Sequence, residues 1–186
     1  MNISPDEIAA AVLETPPRLG RVRLLAIDGP SGAGKSMLAD FVVERLRVRH
    51  VSTTLVRTDD FATWDEPVEW WPRLMLGVLE PLRVGESGSY RRTEWAEGAP
   101  RLGETVSVDV PEVLVLEGVS AGRRSVSDAL SLLVHLRGGD ERERLERSVA
   151  RDGEESRARL EEWQEFERGW FAVDDPYSRA DLRDST

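Results

Sequence analysis

Lys35 closes the octet Gly29-Pro30-Ser31-Gly32-Ala33-Gly34-Lys35-Ser36 and is the only lysine in the chain; the other 24 of its 25 lysine-plus-arginine residues are arginine. A planar guanidinium and a compact ammonium are not interchangeable in a tight phosphate cradle. The octet has the spacing G-x-x-x-x-G-K-[ST], in which backbone N–H groups wrap a phosphate chain. It predicts that Lys35 reaches the outer phosphates and that Ser36 holds Mg²⁺.

Three further groups could complete phosphoryl-transfer chemistry, which needs a metal, charge neutralisation and an oriented nucleophile. Glu117 directly follows four apolar residues, Val113-Leu114-Val115-Leu116, so it sits at a strand end where a carboxylate can arrange the metal's surroundings. Asp59 and Asp60 follow a β-branched stretch, and one of them could take a proton from an attacking hydroxyl. Neighbours on an extended segment point to opposite sides, so only one of the two should face the phosphate. Arg144, Arg147 and Arg151 recur at spacings of three and four, on one helix face, and could neutralise the transferring group. Gly153 is placed as a hinge behind them, which makes that helix a candidate lid.

The elements that must position these residues follow from periodicity. Residues 22–27 read as a buried strand running into the glycines, and residues 36–46 have apolar side chains at helical spacing. A helix starting there adds its positive N-terminal pole to the anion site. Residues 51–57, 113–116 and 130–136 read as further strands, residues 70–82, 140–151 and 154–171 as helices, and residues 85–103 as a loop or hairpin. Ser4-Pro5-Asp6-Glu7 has the marks of a helix start, Pro16-Pro17 ends that helix, and Leu182 falls in a short final strand. Strands apolar on both faces alternating with helices mean a parallel sheet covered on two sides. Ligands gather at the C-terminal strand ends of such sheets, where the octet, Asp59-Asp60 and Glu117 all fall.

Composition narrows the function. The 186 residues suit one domain. A formal net charge of −10, with no basic run, argues against a nucleic-acid partner. No apolar stretch is long enough to span a membrane, and no export signal opens the chain; together with use of a nucleoside triphosphate this favours the cytoplasm, and the phosphoryl-transfer residues make a small-molecule substrate the expected partner. The absence of cysteine excludes disulfide and thiolate chemistry, and His50 and His135 are read as surface or packing residues. Of the six tryptophans, Trp95 is the one expected to touch a ligand.

Residues 27–36, Asp59-Asp60-Phe61, Leu116-Glu117-Gly118 and Arg144-Leu-Glu-Arg147-Ser-Val-Ala-Arg151-Asp152 together resemble the uridine kinase-like family of P-loop kinases, across about residues 22–181. The resemblance implies a P-loop NTPase fold: one domain over 1–186, an α/β parallel sheet of about five strands with helices on both faces, a helical extension at 1–19, and a lid and following helix at 140–172. It implies ATP and Mg²⁺ as cofactors. Gly29, Ser31, Gly32, Ala33, Gly34, Lys35, Ser36 and Met37 would bind ATP, and Ser36 and Glu117 the metal. The family's Asp-x-Phe segment supplies the catalytic base, which maps onto Asp59. Lys35, Asp59, Arg147 and Arg151 would then be catalytic, with Asp59, Phe61, Tyr90, Trp95 and Arg144 at the acceptor. Trp95 stands where the family has a histidine and Ala62 where it usually has tyrosine, which trades base-reading hydrogen bonds for a stacking surface. Residues 27–35 also look like the start of a bacterial cytidylate kinase, but Ser36-Met37 replaces that family's Gly-Thr.

The expected activity is transfer of the ATP γ-phosphate to a hydroxyl, with uridine or cytidine as the first acceptor. The alternatives are an adenine-nucleotide-binding regulatory ATPase without a small acceptor, or a kinase of another metabolite or of a nucleoside monophosphate. A guanine-specific switch would need a second lysine, in an Asn-Lys-x-Asp element, and the chain has none.

Overall fold

The structure, a computed structural model, describes residues 3–96 and 99–184, the side chains of Trp95 and Ala96 excepted. Its centre is a five-stranded parallel sheet in the order β2-β5-β1-β6-β7, built from β1 (Arg23–Asp28), β2 (Thr53–Arg57), β5 (Val113–Glu117), β6 (Leu130–His135) and the two-residue β7 (Leu182–Arg183). β5 and β6 are buried along their whole length, as expected for strands covered on both faces. Side-chain alternation divides β1 between two cores. Leu24 and Ala26 join Trp70, Trp71, Leu74 and Leu114 on one face, while Leu25 and Ile27 join Val42, Leu46 and Val115 on the other.

The second face is covered by α1 (Pro5–Glu14) and α2 (Lys35–Val48). Ser4 caps α1 by accepting from the Glu7 amide at 3.1 Å, as its sequence requires. Ile8, Ala9 and Val12 of α1 are fully buried, so residues 5–14 belong to the same core as the phosphate-loop helix. The other face is covered by a helical segment over residues 71–83 and by a hairpin of β3 (Gly88–Ala96) and β4 (Ala99–Val108).

The helical segment is not uniform. α3 (Trp71–Leu74) passes through one π turn (Met75–Leu79) into α4 (Glu80–Arg83). Pro81 is the cause. Proline lacks an N–H and its ring crowds the carbonyl four residues back, and widening the preceding turn relieves both; the Glu80 amide bonds to the Met75 carbonyl instead.

Beyond β6, α5 (Glu141–Asp152) starts at an Asp140 cap and stops at Gly153, whose φ is +93°. A 3-10 turn leads into α6 (Arg157–Asp174), and α7 (Pro176–Arg179) follows. Among the described residues, no helix is long and apolar enough to cross a membrane.

Candidate active site

β1 delivers the octet at its C-terminal end, with Gly34 as the N-cap of α2 at φ +91°. A Cβ on Gly34 would meet nothing within 4 Å, so the loop's open side faces a cavity. Gly32 is closed in by contrast: at φ +73°, a Cβ there would lie 2.5 Å from the Arg144 carbonyl oxygen. The first turn of α5 is therefore seated on the phosphate loop, and only glycine permits the approach. Lys35 is buried, and its Nζ donates to the Pro30 carbonyl at 2.9 Å.

The cavity above the loop has a volume of about 220 Å³, and its walls include Ser31, Gly32, Gly34, Lys35, Ser36, Met37, Asp59, Glu117, Arg147, Ser148 and Arg151. These positions come from the loop after β1, the start of α2, the turn after β2, the β5 end and α5. The parallel sheet brings them together because its strand ends lie side by side. Arg57 and Glu117 are register partners; the Arg57 guanidinium donates to Glu117 Oε2 at 2.9 Å and to Asp40 at 2.6 Å. Ser36 Oγ donates to Glu117 Oε1 at 3.3 Å. Burial raises the Glu117 pKa, opposed chiefly by the nearby Lys35 and Arg57 charges.

The donor set suits a hard cation. Magnesium is held mainly by phosphate, water and one or two protein oxygens rather than by an all-protein cage. Ser36 Oγ and Glu117 supply such oxygens, and among the described residues no cluster of three His, Cys, Asp or Glu side chains competes with them. The cavity also suits a phosphate chain, because Ser148 Oγ on its wall is buried with no hydrogen-bond partner among the described residues.

Asp59 and Asp60 part company, but not by strand alternation: the expected extended segment is a 3-10 turn (Thr58–Asp60). Asp59 lines the phosphate cavity. Asp60 accepts from Tyr90 Oη at 2.6 Å and pairs with Arg92 at 3.1 Å.

A second cavity, about 170 Å³, adjoins the first and is lined by Ser31, Asp59, Ala62, Thr63, Trp64, Leu160 and Trp163. Trp64 and Trp163 meet edge to face, with centroids 5.9 Å apart. Asp59 and Ser31 line both cavities.

Several sequence expectations need correction here. Phe61 and Tyr90, expected at the acceptor, are core residues. Phe61 stacks between Trp70 and Tyr90, at 5.2 and 4.6 Å, and neither Phe61 nor Tyr90 lines either cavity. Arg144, also expected at the acceptor, lines neither cavity; its Nη1 donates to the carbonyls of Gly139, at 2.6 Å, and Arg137, which braces the turn before α5. Arg147 and Arg151 do line the phosphate cavity. Arg147 Nε donates to the Gly32 carbonyl at 2.9 Å, its Nη2 bonds the Gly138 carbonyl, and Arg151 pairs with Asp152. The Trp95 side chain lies outside the described residues.

Four contributors escaped the sequence reading: Trp64, Trp163, Ser148 and Glu167. Glu167 accepts from the Ser31 amide and hydroxyl, at 2.9 and 2.6 Å, and from Trp163 Nε1 at 2.7 Å. Its sequence signal is real but easily read as surface charge. Leu160, Gln164 and Glu167 recur at spacings of four and three, and all three are buried, so polar groups occupy the inward stripe of α6. Asp28, directly before the octet, is fully buried and accepts from the amides of Gly29, Ser120 and Gly122. Desolvation pushes its pKa up to about 7.

No protein-family model matches the chain, and no curated protein matches it significantly. Solved structures do. A possible uridine kinase from Bacillus stearothermophilus superposes with a TM-score of 0.70 at 18% identity, covering 96% of this chain and 96% of that one. A candidate fructose transport system kinase from Silicibacter sp. TM1040 gives a TM-score of 0.62 at 18% identity, covering 86% of this chain and 89% of that one. The chain has the fold of the P-loop kinases.

Proposed function

We propose that this protein is an ATP- and Mg²⁺-dependent small-molecule kinase that transfers the γ-phosphate to a hydroxyl of an uncharged acceptor, with uridine and cytidine the first candidates. The observation that carries the reading is the junction of the two cavities. A polar cavity built on the phosphate loop meets an apolar, aromatic one, and Asp59 lines both. A regulatory ATPase without an acceptor has no use for the second cavity. Its described lining contains no Lys, Arg or His, which disfavours acceptors that carry a carboxylate or phosphate, including nucleoside monophosphates. The acceptor's flat or apolar face would rest on Trp64 and Trp163.

In this reading the loop amides and Lys35 hold the triphosphate, and Ser36 and Glu117 would hold Mg²⁺, which neutralises phosphate charge when bound. Asp59 takes the proton of the acceptor hydroxyl as its oxygen bonds to the γ-phosphorus and the bond to the ADP oxygen breaks. Arg147 and Arg151 offset the charge of the transferring group. An ATP-using kinase of this kind is placed in the cytoplasm.

The test is ADP release from Mg·ATP with a panel of neutral nucleosides and sugars beside glycerate, pantothenate and nucleoside monophosphates. Stimulation by neutral members alone supports the reading. ATP hydrolysis indifferent to every addition, or stimulation confined to anionic members, overturns it.

A further inference from the structure

Among the described residues, Glu167 is the one buried carboxylate that touches both cavities' walls without lining either. It lies one turn beyond Trp163 on α6, so the two side chains share a helix face. Three donors converge on a single oxygen, Oε1: the Ser31 amide, the Ser31 hydroxyl and the Trp163 indole N–H. The other oxygen, Oε2, is buried with no hydrogen-bond partner among the described residues.

A carboxylate that only supported α6 would gain by sharing its donors between both oxygens, since a buried acceptor left unmade is costly. Here every donor belongs to a residue on a cavity wall. Ser31 stands on the boundary of both cavities and Trp163 on the acceptor wall. Gln164, beside it, ties α6 to the start of α5 through the Glu141 carbonyl at 3.0 Å, so the helix that carries this contact is itself anchored to the element seated on the phosphate loop.

We infer that Glu167 is a positioning residue that couples the acceptor wall to the phosphate loop: through one carboxylate oxygen it fixes Ser31 and Trp163 relative to each other, so that occupancy of the nucleotide cavity and of the acceptor cavity are felt by one another. By donating its hydroxyl hydrogen to Glu167, Ser31 keeps its oxygen lone pairs available at the junction where an acceptor hydroxyl must lie. Such coupling is reciprocal, because a nucleotide that strengthens acceptor binding is itself bound more tightly when the acceptor is present. The inference rests on the kinase reading for its purpose but not for its first test.

That test needs no acceptor. A non-hydrolysable Mg·ATP analogue is titrated into the full chain while indole emission is followed, with binding measured independently by calorimetry. Trp163→Phe keeps the ring and removes the donor, so the wild-type signal that this variant loses belongs to Trp163. The expected result is a Trp163 emission change on analogue binding that Glu167→Ala abolishes, although the analogue still binds within about threefold, and that Glu167→Gln, which keeps an acceptor oxygen, largely restores. A Trp163 signal that persists in Glu167→Ala, or is missing from wild type that binds the analogue, overturns the coupling. Failure of the analogue to bind wild type would overturn the kinase reading itself.

With uridine, or whichever neutral compound the panel identifies, Glu167→Ala should lower kcat/KM for the acceptor by roughly tenfold or more, the scale on which slight misplacement of reacting groups acts. KM for ATP should stay within about threefold when the acceptor is dilute, and the benefit of acceptor to ATP binding should vanish. Equal losses for both substrates would mark a merely structural role and refute the inference. If Glu167→Ala does not fold, Ser31→Ala and Trp163→Phe each remove one donor, and loss of the same coupling in both decides the matter.

Discussion

The two cavities of this protein are neighbours, share Ser31 and Asp59, and are built on opposite plans. The phosphate cavity is made of backbone amides, charged side chains and one sequence-local octet. The proposed acceptor cavity, Ser31 apart, is made of side chains from two stretches about a hundred residues apart, residues 59–64 and 160–163, and is walled by aromatic rings. A phosphate chain is the same ligand wherever it occurs, and a loop of fixed spacing suffices to hold it. An acceptor is recognised by shape, which only the folded chain supplies.

The contrast can be broken most forcefully at the junction. Asp59→Ala should reduce acceptor-dependent turnover by roughly 10² or more while Mg·ATP affinity by calorimetry stays within a few-fold. Turnover close to wild type would remove Asp59 from the chemistry and with it the reason to join the cavities.

A second test addresses the polar support beneath the phosphate loop. Asp28 is raised to about 7 by burial, so the folded chain holds a proton that the unfolded chain releases, and this group's contribution falls as pH rises from about 4 to about 7. His135 is lowered to about 4, chiefly by burial, among the ring edges of Phe171 and Tyr177. Its contribution has the opposite sign: it is present above about 6.5 and is lost as pH falls towards 4. Across that shared window the two slopes cancel. His135→Leu should unmask the Asp28 slope, so that its stability relative to wild type falls by about 2 kcal/mol between pH 4.5 and 6.5. Urea unfolding at the two pH values measures this; parallel behaviour of the two proteins would refute it.

On the acceptor side, Trp163→Ala should raise KM for the acceptor roughly five- to thirtyfold, the equivalent of about 1–2 kcal/mol of lost aromatic contact, with little change in KM for ATP. A shift confined to ATP would reverse the assignment of the two cavities. The smallest effect is expected from Ser148→Ala. Loss of one hydroxyl from the phosphate wall should weaken nucleotide binding by about twofold to tenfold and leave the ratio of acceptor rates unchanged, as competition between two acceptors would show.

The same contrast explains what the sequence could and could not disclose. The sheet, the octet and the strand-end position of Glu117 are written in local periodicity and spacing, so they are legible without tertiary knowledge; residues 85–103 read only as a loop or hairpin, and the hairpin in fact runs on to Val108. Asp59 could be separated from Asp60 only through the family resemblance; the structure does so by giving Asp60 to Tyr90 and Arg92. The helix face shared by Arg144, Arg147 and Arg151 was legible, but not that Arg144, a turn earlier, would be spent on the carbonyls of Arg137 and Gly139. Trp64 and Trp163 were among six candidates with nothing local to single them out. Which ring meets which depends on how α6 lies over the β2 end, and no spacing within either segment encodes that.

Lys35 carries the only side-chain ammonium in the chain. Every other cation on the side chains is a guanidinium, which common amine-directed acylating reagents leave alone. Apart from the chain's own terminus, covalent amine chemistry therefore has a single address on this protein, and that address lies buried against the Pro30 carbonyl. Acetylation, carbamylation or conjugation through lysine cannot decorate the surface in passing; where it happens at all, it neutralises the single side-chain ammonium on the wall of the phosphate-loop cavity.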